Sequence, residues 1–261
     1  MYHSIIIDTS TTEDFSFNGA INTYDDWHLV PSSRPTIVNP PLKTSYLDIP
    51  GASGSVDATE WLTGFPTYDD REGEIEFIVL NDYGVWTQRR NTINRRLHGK
   101  KAKIMLEDEK DYYYIGRLTV DDWKSEKDWS KITLKYRLEP FKYSTESTTR
   151  WKWDPFNFEN GIVLSGYYSN INANSGTVHF SGEVLPIQPS YCRIKVKDTN
   201  NAGLLVRLVN SELDIDISTV LHNGTVTLYE WLFSNLSGHN IVTVSVTGVG
   251  SASFDVRFRS I

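Results

Sequence analysis

The sequence predicts an all-β protein with one amphipathic helix, divided into two domains. Three observations predict it: strict polar–apolar alternation in many short runs, an aromatic-rich composition, and Asn-Gly turn dipeptides between runs. Aromatic residues make up 13% of the 261-residue chain while Met occurs only 2 times, a balance that favours pleated, half-buried surfaces. Asn18-Gly19 and Asn223-Gly224 suit the tight turns of hairpins because both residue types tolerate positive φ. A mainly antiparallel sheet structure follows.

The elements can be justified in chain order. Ile75 and Phe77 alternate with Glu74 and Glu76, as a half-buried strand requires. From Val85 to Leu97 neither Gly nor Pro interrupts the chain, and Trp86, Ile93 and Leu97 recur at helical spacing. This predicts a helix over about 85–98, packed on a sheet by that stripe, with Arg95 and Arg96 in the last turn and Gly99 as its C-cap. Strands are expected at Ala102 to Leu106 and Ile115 to Val120. The clearest alternation runs from Lys131 to Glu139 and places Ile132, Leu134, Tyr136 and Leu138 on one face. In the second half, strand-like runs occupy Tyr191 to Val196, Leu204 to Val209, Leu213 to Ile217, Thr225 to Tyr229, Ile241 to Val246 and Phe254 to Arg259.

The chain changes character near residue 150. Residues 1–150 carry 19 Lys+Arg and 24 Asp+Glu, whereas residues 151–261 carry 7 and 9. A polar, Ser/Thr-rich stretch from Lys142 to Arg150 lies between them. The expected domains are therefore 1–145 and 150–261. The dense mixed charge of the first suits repeated contact between subunits.

Composition excludes several function classes. Cys192 is the only cysteine, which excludes an intrachain disulfide and a thiolate zinc cluster; it is expected as a small buried hydrophobe at a strand start. No apolar run approaches the ~20 residues of a membrane-spanning helix, and the opening residues lack the features of a secretory leader, so a soluble protein made in the cytoplasm is expected. His3, His28, His98, His179, His222 and His239 form no HxH or HExxH pair, so no metal site is expected. The acidic pairs Asp25-Asp26, Asp69-Asp70 and Asp121-Asp122, and the run Glu107-Asp108-Glu109, are expected to cap and solvate turns. Neighbours along a strand point to opposite faces, so none of these is the facing pair of a glycosidase. Gly51-Ala52-Ser53-Gly54-Ser55 does not meet the nucleophile-elbow order, and Gly248-Val249-Gly250 is no dinucleotide loop. No catalytic residue and no cofactor are expected.

One cluster stands apart. Between Tyr83 and Leu106 there is no acidic residue, while Arg89, Arg90, Arg95, Arg96, Lys100, Lys101 and Lys103 accumulate. Phosphate neutralisation would need such a patch, but the chain is acidic overall, with a formal net charge of −7. A salt-bridge face between elements or subunits is the better expectation, and sequence-specific nucleic-acid reading is not expected.

Several stretches together resemble the N-terminal domain of siphophage distal tail proteins. They are Phe17-Asn18-Gly19, running into Ile21 to Leu29; Ser33-Arg34-Pro35; Ile49 to Glu60; Tyr68 and Arg71 before the strand ending at Phe77; Leu97-His98-Gly99-Lys100; and Tyr136 to Phe141. The likeness covers roughly residues 15–143. Its most specific element is the I-P-G-x-x-G-x-x-D-x-T pattern from Ile49 to Thr59, with Ser53 and Ala58 departing from the residues most usual there.

The resemblance implies a structural protein of the virion tail tip. Members of that family form a ring, usually a hexamer, that joins the tail tube to the tail-associated tip protein and often carries receptor-binding proteins. It implies a tail-tube-like β-sandwich or barrel for the N-terminal domain and a galectin-like or carbohydrate-module-like β-sandwich for the C-terminal one. Candidate ring contacts are Ile49, Gly51 and Gly54 in the motif, with Arg89, Arg90, Arg95 and Arg96 on the helix. A competing reading makes the second domain a binder of host cell-wall polysaccharide, with Trp151, Trp153, Tyr167, Tyr168, Tyr229 and Trp231 as sugar-stacking candidates.

Overall fold

The computed structural model describes residues 4–10, 17, 19–62, 66–79, 84–125, 130–145, 156–157, 161–162, 171–172, 177–182, 192–210, 215–228, 240–256 and 259–261. The chain divides into two compact units, Met1–Thr145 (together with Ile261) and Glu146–Ser260. Mostly β, it has one helix among the described residues.

The first unit contains β1 (Ile5–Asp8), β2 (Ile21–Asn22), β3 (Leu29–Pro31), β4 (Tyr46–Asp48), β5 (Ser55–Asp57), β6 (Arg71–Val79), α1 (Trp86–Leu97), β7 (Lys101–Leu106), β8 (Tyr112–Ser125) and β9 (Ser130–Ser144). Its main sheet runs β2-β1-β7-β8-β9-β6-β3, antiparallel throughout, and curls as a half-barrel. Strands β8 and β9 are its spine, paired from Tyr112↔Ser144 to Ser125↔Ser130. The alternation of β9 takes effect as expected: Ile132, Leu134, Tyr136 and Leu138 are buried while Lys135 and Arg137 face solvent. Each large apolar side chain so buried contributes about 1.5–3 kcal/mol.

The helix covers this core with Ile93 and Leu97, both fully buried, and with the half-buried Trp86. Its last residue is Leu97 and its C-cap is His98, not Gly99. Gly99 follows in the left-handed region at φ 73°, and its N–H donates to the Leu118 carbonyl of β8, turning the chain into β7. Asp121-Asp122 is a correction: the pair lies within β8, not at a turn, beside a register shift between Val120 and Trp123. The bulge takes these residues out of the regular ladder, and the Asp121 carboxylate meets Lys135 Nζ at 2.7 Å.

The second unit contains β10 (Phe156–Asn157), β11 (Gly161–Ile162), β12 (Ile171–Asn172), β13 (Thr177–Gly182), β14 (Cys192–Asp198), β15 (Leu204–Asn210), β16 (Ile215–Leu221), β17 (Gly224–Leu228), β18 (Asn240–Thr247) and β19 (Gly250–Val256). Its two larger sheets are each four-stranded and antiparallel, in the orders β12-β19-β14-β17 and β13-β18-β15-β16. Ile194, Val196, Ala252 and Phe254 form a buried row on the first, and Leu204, Val206, Leu208, Val244 and Val246 a buried row on the second. Inward rows alternating with outward positions such as Lys195, Lys197 and Arg207 are the pattern of a sandwich. Cys192 opens β14 as expected, and its side chain lies outside the described ones.

Candidate assembly interface

Between β3 and β6 the first unit extends an arm. Strands β4 and β5 pair only with each other, through Tyr46↔Asp57, Leu47↔Val56 and Asp48↔Ser55. This register sorts the side chains into two faces, Leu47 and Val56 on one, Tyr46, Asp48, Ser55 and Asp57 on the other. Tyr46, Leu47 and Ile49 are exposed, as are Trp61 at 67% and Leu62 at 99% just beyond the hairpin. A lone two-stranded ribbon is marginal in water, and large apolar side chains gathered on one projection mark a contact surface.

The motif from Ile49 to Thr59 now has a physical reading. Gly51 and Gly54 both take positive φ, 84° and 82°, in the loop that joins the strands, where a side chain would be strained. The Ala52 N–H donates to the Ile49 carbonyl and closes the first turn. Asp57 accepts from the Thr59 N–H at 2.9 Å, and the Thr59 hydroxyl accepts from the Ser45 N–H at 3.1 Å. Hydrogen bonding from the Thr59 side chain, then from its N–H, holds the Asp57 carboxyl below its ordinary range. The pattern encodes a shaped loop; Gly51 and Gly54 place the tip, and Ile49 is presented at it.

The base of the arm is clamped to the sheet. Leu42 and Tyr68 form an isolated antiparallel bridge, and backbone bonds join Lys43 N–H to Thr67 O and Asp69 N–H to Pro41 O. Arg71, only 2% exposed, donates from Nε to Pro140 O and from Nη1 to Val38 O, both at 2.9 Å. Its guanidinium carbon stands 5.4 Å from the centre of the Tyr114 ring. Burial lowers the pKa of Arg71, opposed by Tyr114, Glu109 and Tyr136. The Val38 N–H donates to Tyr136 Oη at 3.2 Å. Tyr114 Oη donates to Glu109 Oε2 at 2.9 Å, and Lys142 Nζ meets Glu109 Oε1 at 2.6 Å. Burial, followed by the Glu109 carboxylate, drives the Tyr114 phenol far above the ordinary tyrosine range. Arg71 and Tyr136 thus grip both sides of the Val38 peptide.

The helix presents the second surface. Arg90, Arg95 and Arg96 are exposed and Arg89 is half-buried, with no acidic residue anywhere in α1. Exposed Lys100 follows. Lys101 and Lys103, grouped with these by sequence, are used elsewhere: Lys101 meets Glu139 at 3.4 Å, and the nearly buried Lys103 meets Asp8 at 3.1 Å and the Phe17 ring at 5.5 Å. Trp151, Trp153, Tyr167, Tyr168, Tyr229 and Trp231 lie outside the described residues. Among the described residues no group of three His, Cys, Asp or Glu side chains is placed to hold a metal ion, and no helix is long and apolar enough to cross a membrane.

Comparison with known proteins adds the decisive observation. No family model and no curated protein sequence matches the chain. Among solved structures, the crystal structure of the Dit protein of phage SPP1 superposes over 100% of both chains with a TM-score of 0.56 at 14% identity. The fold is that of a phage distal tail protein. Two structures of the phage p2 baseplate in its activated conformation, with Sr and with Ca, also match, at TM-scores of 0.44 and identities of 12% and 13% over nearly the whole chain. The SPP1 protein is described as a paradigm of the hub adsorption apparatus in phages infecting Gram-positive bacteria. At this identity the likeness establishes the distal-tail fold alone. The ring-contact candidates Ile49, Gly51 and Gly54 fall in the arm of this chain, whereas Arg71 was not legible as its clamp, because a strand reading Arg-Glu-Gly-Glu gives an arginine no reason to be buried.

Proposed function

We propose that this chain is a structural subunit of a phage or prophage tail tip. Copies of the first unit close into a ring, hexameric in the family it resembles, that joins the tail tube to the tail-associated tip protein. The observation that carries the reading is the superposition on the SPP1 Dit protein over the full length of both chains, not over one unit only. The projecting arm and the unbroken positive helix supply the contact surfaces a ring subunit needs. The protein works by binding copies of itself and neighbouring virion parts, and converts no substrate. The second unit, with its two four-stranded sheets, serves as a galectin-like or carbohydrate-module-like sandwich that carries receptor-binding proteins.

The test is light scattering and negative-stain imaging of the full chain, alone and mixed with its tail-tube and tip-protein neighbours. Annular particles with about sixfold symmetry support the reading. A chain that stays monomeric at high concentration and forms no annulus with either neighbour refutes it. Cell-wall pull-down with the same full chain separates attachment through a receptor-binding protein from direct sugar contact, since only the latter retains the chain on polysaccharide.

A further inference from the structure

We infer that the ring closes by laying the acidic face of one protomer's arm against helix α1 of the next. This rests on the ring reading above and names its contact. From Thr44 to Leu62 the arm carries Asp48, Asp57 and Glu60, all exposed, and no Lys or Arg. From Trp86 to Leu97 the helix carries four arginines and no acidic residue. Asp48, Glu60, Arg95 and Arg96 make no ion pair among the described residues, although the rest of this unit is laced with them. Two patches of opposite sign, each with charges left unpaired, are what a heterologous contact requires.

Their placement fits such a contact. The sheet register runs from Arg71 on β6 to Leu138 on β9, Gly116 on β8 and Ala102 on β7. The arm rejoins the sheet at Arg71, and α1 rejoins it two residues before Ala102 through Gly99 and Lys100. Arm base and helix end therefore lie at one level, about 14 Å apart across the strands at the usual spacing. Rotation about an axis parallel to the strands keeps that level and brings the arm of one copy to the helix of the next. Because the two patches differ, the contact is head-to-tail, the kind that builds a ring when its rotation closes, rather than a twofold dimer. Tyr46 lies on the same face as Asp48 and Asp57, so arginine guanidinium groups have both carboxylates and an aromatic ring to meet. The clamp on Val38 fixes where the arm points, and so which neighbour it reaches.

Charge reversal in the full chain tests this. Asp48→Lys with Glu60→Lys reverses the arm and leaves Asp57 to hold Thr59; Arg95→Glu with Arg96→Glu neutralises the helix. All four positions are exposed, so circular dichroism should be unchanged. Each variant alone should need at least about 10-fold more protein to form rings at low salt. The two variants mixed should assemble again, arm-reversed and helix-neutralised protomers alternating so that the lysines introduced on the arm meet the glutamates introduced on the helix at every second contact, to within about 3-fold of the unmodified chain. If the unmodified chain forms rings and the mixture assembles no better than the variants alone, the arm–helix contact is overturned while the ring reading stands. If the unmodified chain forms no ring, alone or with its neighbours, the ring reading fails and takes this contact with it.

Discussion

Two glycines in the main sheet have no freedom to become alanine, and the cost should differ between them. At Gly116 an added Cβ would sit 2.1 Å from the Arg137 carbonyl oxygen, 2.6 Å from Leu138 Cα and 2.8 Å from Leu138 Cδ2. These are chiefly backbone atoms of the paired strand, so β9 must retreat by about 1 Å to reach tolerable contact. A retreat of that size pulls neighbouring N–H···O bonds beyond the ~3.2 Å limit of good geometry. Overpacking of about 1–3 kcal/mol, with one or two ladder bonds weakened at about 1 kcal/mol each, gives a loss of about 3 kcal/mol for Gly116→Ala. At Gly73 the Cβ would meet Tyr136 Oη at 2.4 Å and Cζ at 2.6 Å, the far end of a side chain. The ring swings aside and gives up its bond from the Val38 N–H, so Gly73→Ala should cost about 1 kcal/mol. Calorimetry of the whole chain reads both, with the transition of the second unit as an internal reference. At about 2–4 °C per kcal/mol, the first unit should melt about 6–12 °C lower for Gly116→Ala and 2–4 °C lower for Gly73→Ala. A Gly116→Ala protein melting within 1 °C of the unmodified chain, or one less affected than Gly73→Ala, would refute the steric reasoning.

Three further outcomes follow from the polar interior. Arg71→Met keeps the bulk but deprives the Val38 and Pro140 carbonyls of their donor, which should speed amide exchange across residues 38–43 and lower ring yield more than it lowers the melting temperature; unchanged exchange there removes Arg71 as the clamp. Burial raises the pKa of Asp8, but its bonds from the Ser10 side chain and backbone and from Lys103 outweigh this, so the folded value is lowered. The stability this supplies is present above about pH 4 and is lost as pH falls through the lowered folded value, so Asp8→Asn should be less stable at neutral pH with a shallower acid dependence, and parallel acid curves would contradict it. Asp198→Ala removes the acceptor for the Asn200 and Gly203 N–H groups and should cost the second unit about 1–3 kcal/mol, with the first calorimetric transition unmoved.

What the sequence revealed depended on whether local pattern or tertiary contact decided the structure. Long alternating runs such as Lys131–Glu139 named their own buried face, and the stripe of Trp86, Ile93 and Leu97 named the face of the helix. Strand β4 is exposed throughout and β5 half-buries only Val56, so two three-residue strands left periodicity little to report there. The loop motif between them was visible as residues, yet its meaning (two positive-φ glycines and an aspartate holding Thr59) needed coordinates. Arg71 was visible only as a charge. Its burial arises when the chain at Val38 folds over it, a contact 33 residues away in sequence. Asp121-Asp122 read as a turn because acidic pairs favour turns, and a bulge in a long strand satisfies the same residues without ending the strand.

The charge density of the first unit also takes a different meaning in the structure. From sequence it suits contacts between subunits, but part of it is matched within the unit. Lys131 pairs with Glu76, Lys135 with Asp121, Arg137 with Asp70 and Glu72, and Lys142 with Glu109, each joining adjacent strands or the turn beside them. Such pairs, mostly exposed, add little stability one by one, but each screens its own two charges locally on the sheet. Charged groups outside those pairs stay open to a second copy. Asp48 and Glu60 on the arm, and Arg95 and Arg96 on the helix, form the field a second copy meets on approach. Under the inferred contact these four groups attract in the head-to-tail orientation, where arm meets helix, and repel where arm meets arm or helix meets helix, so orientation is chosen by like-charge repulsion as much as by attraction.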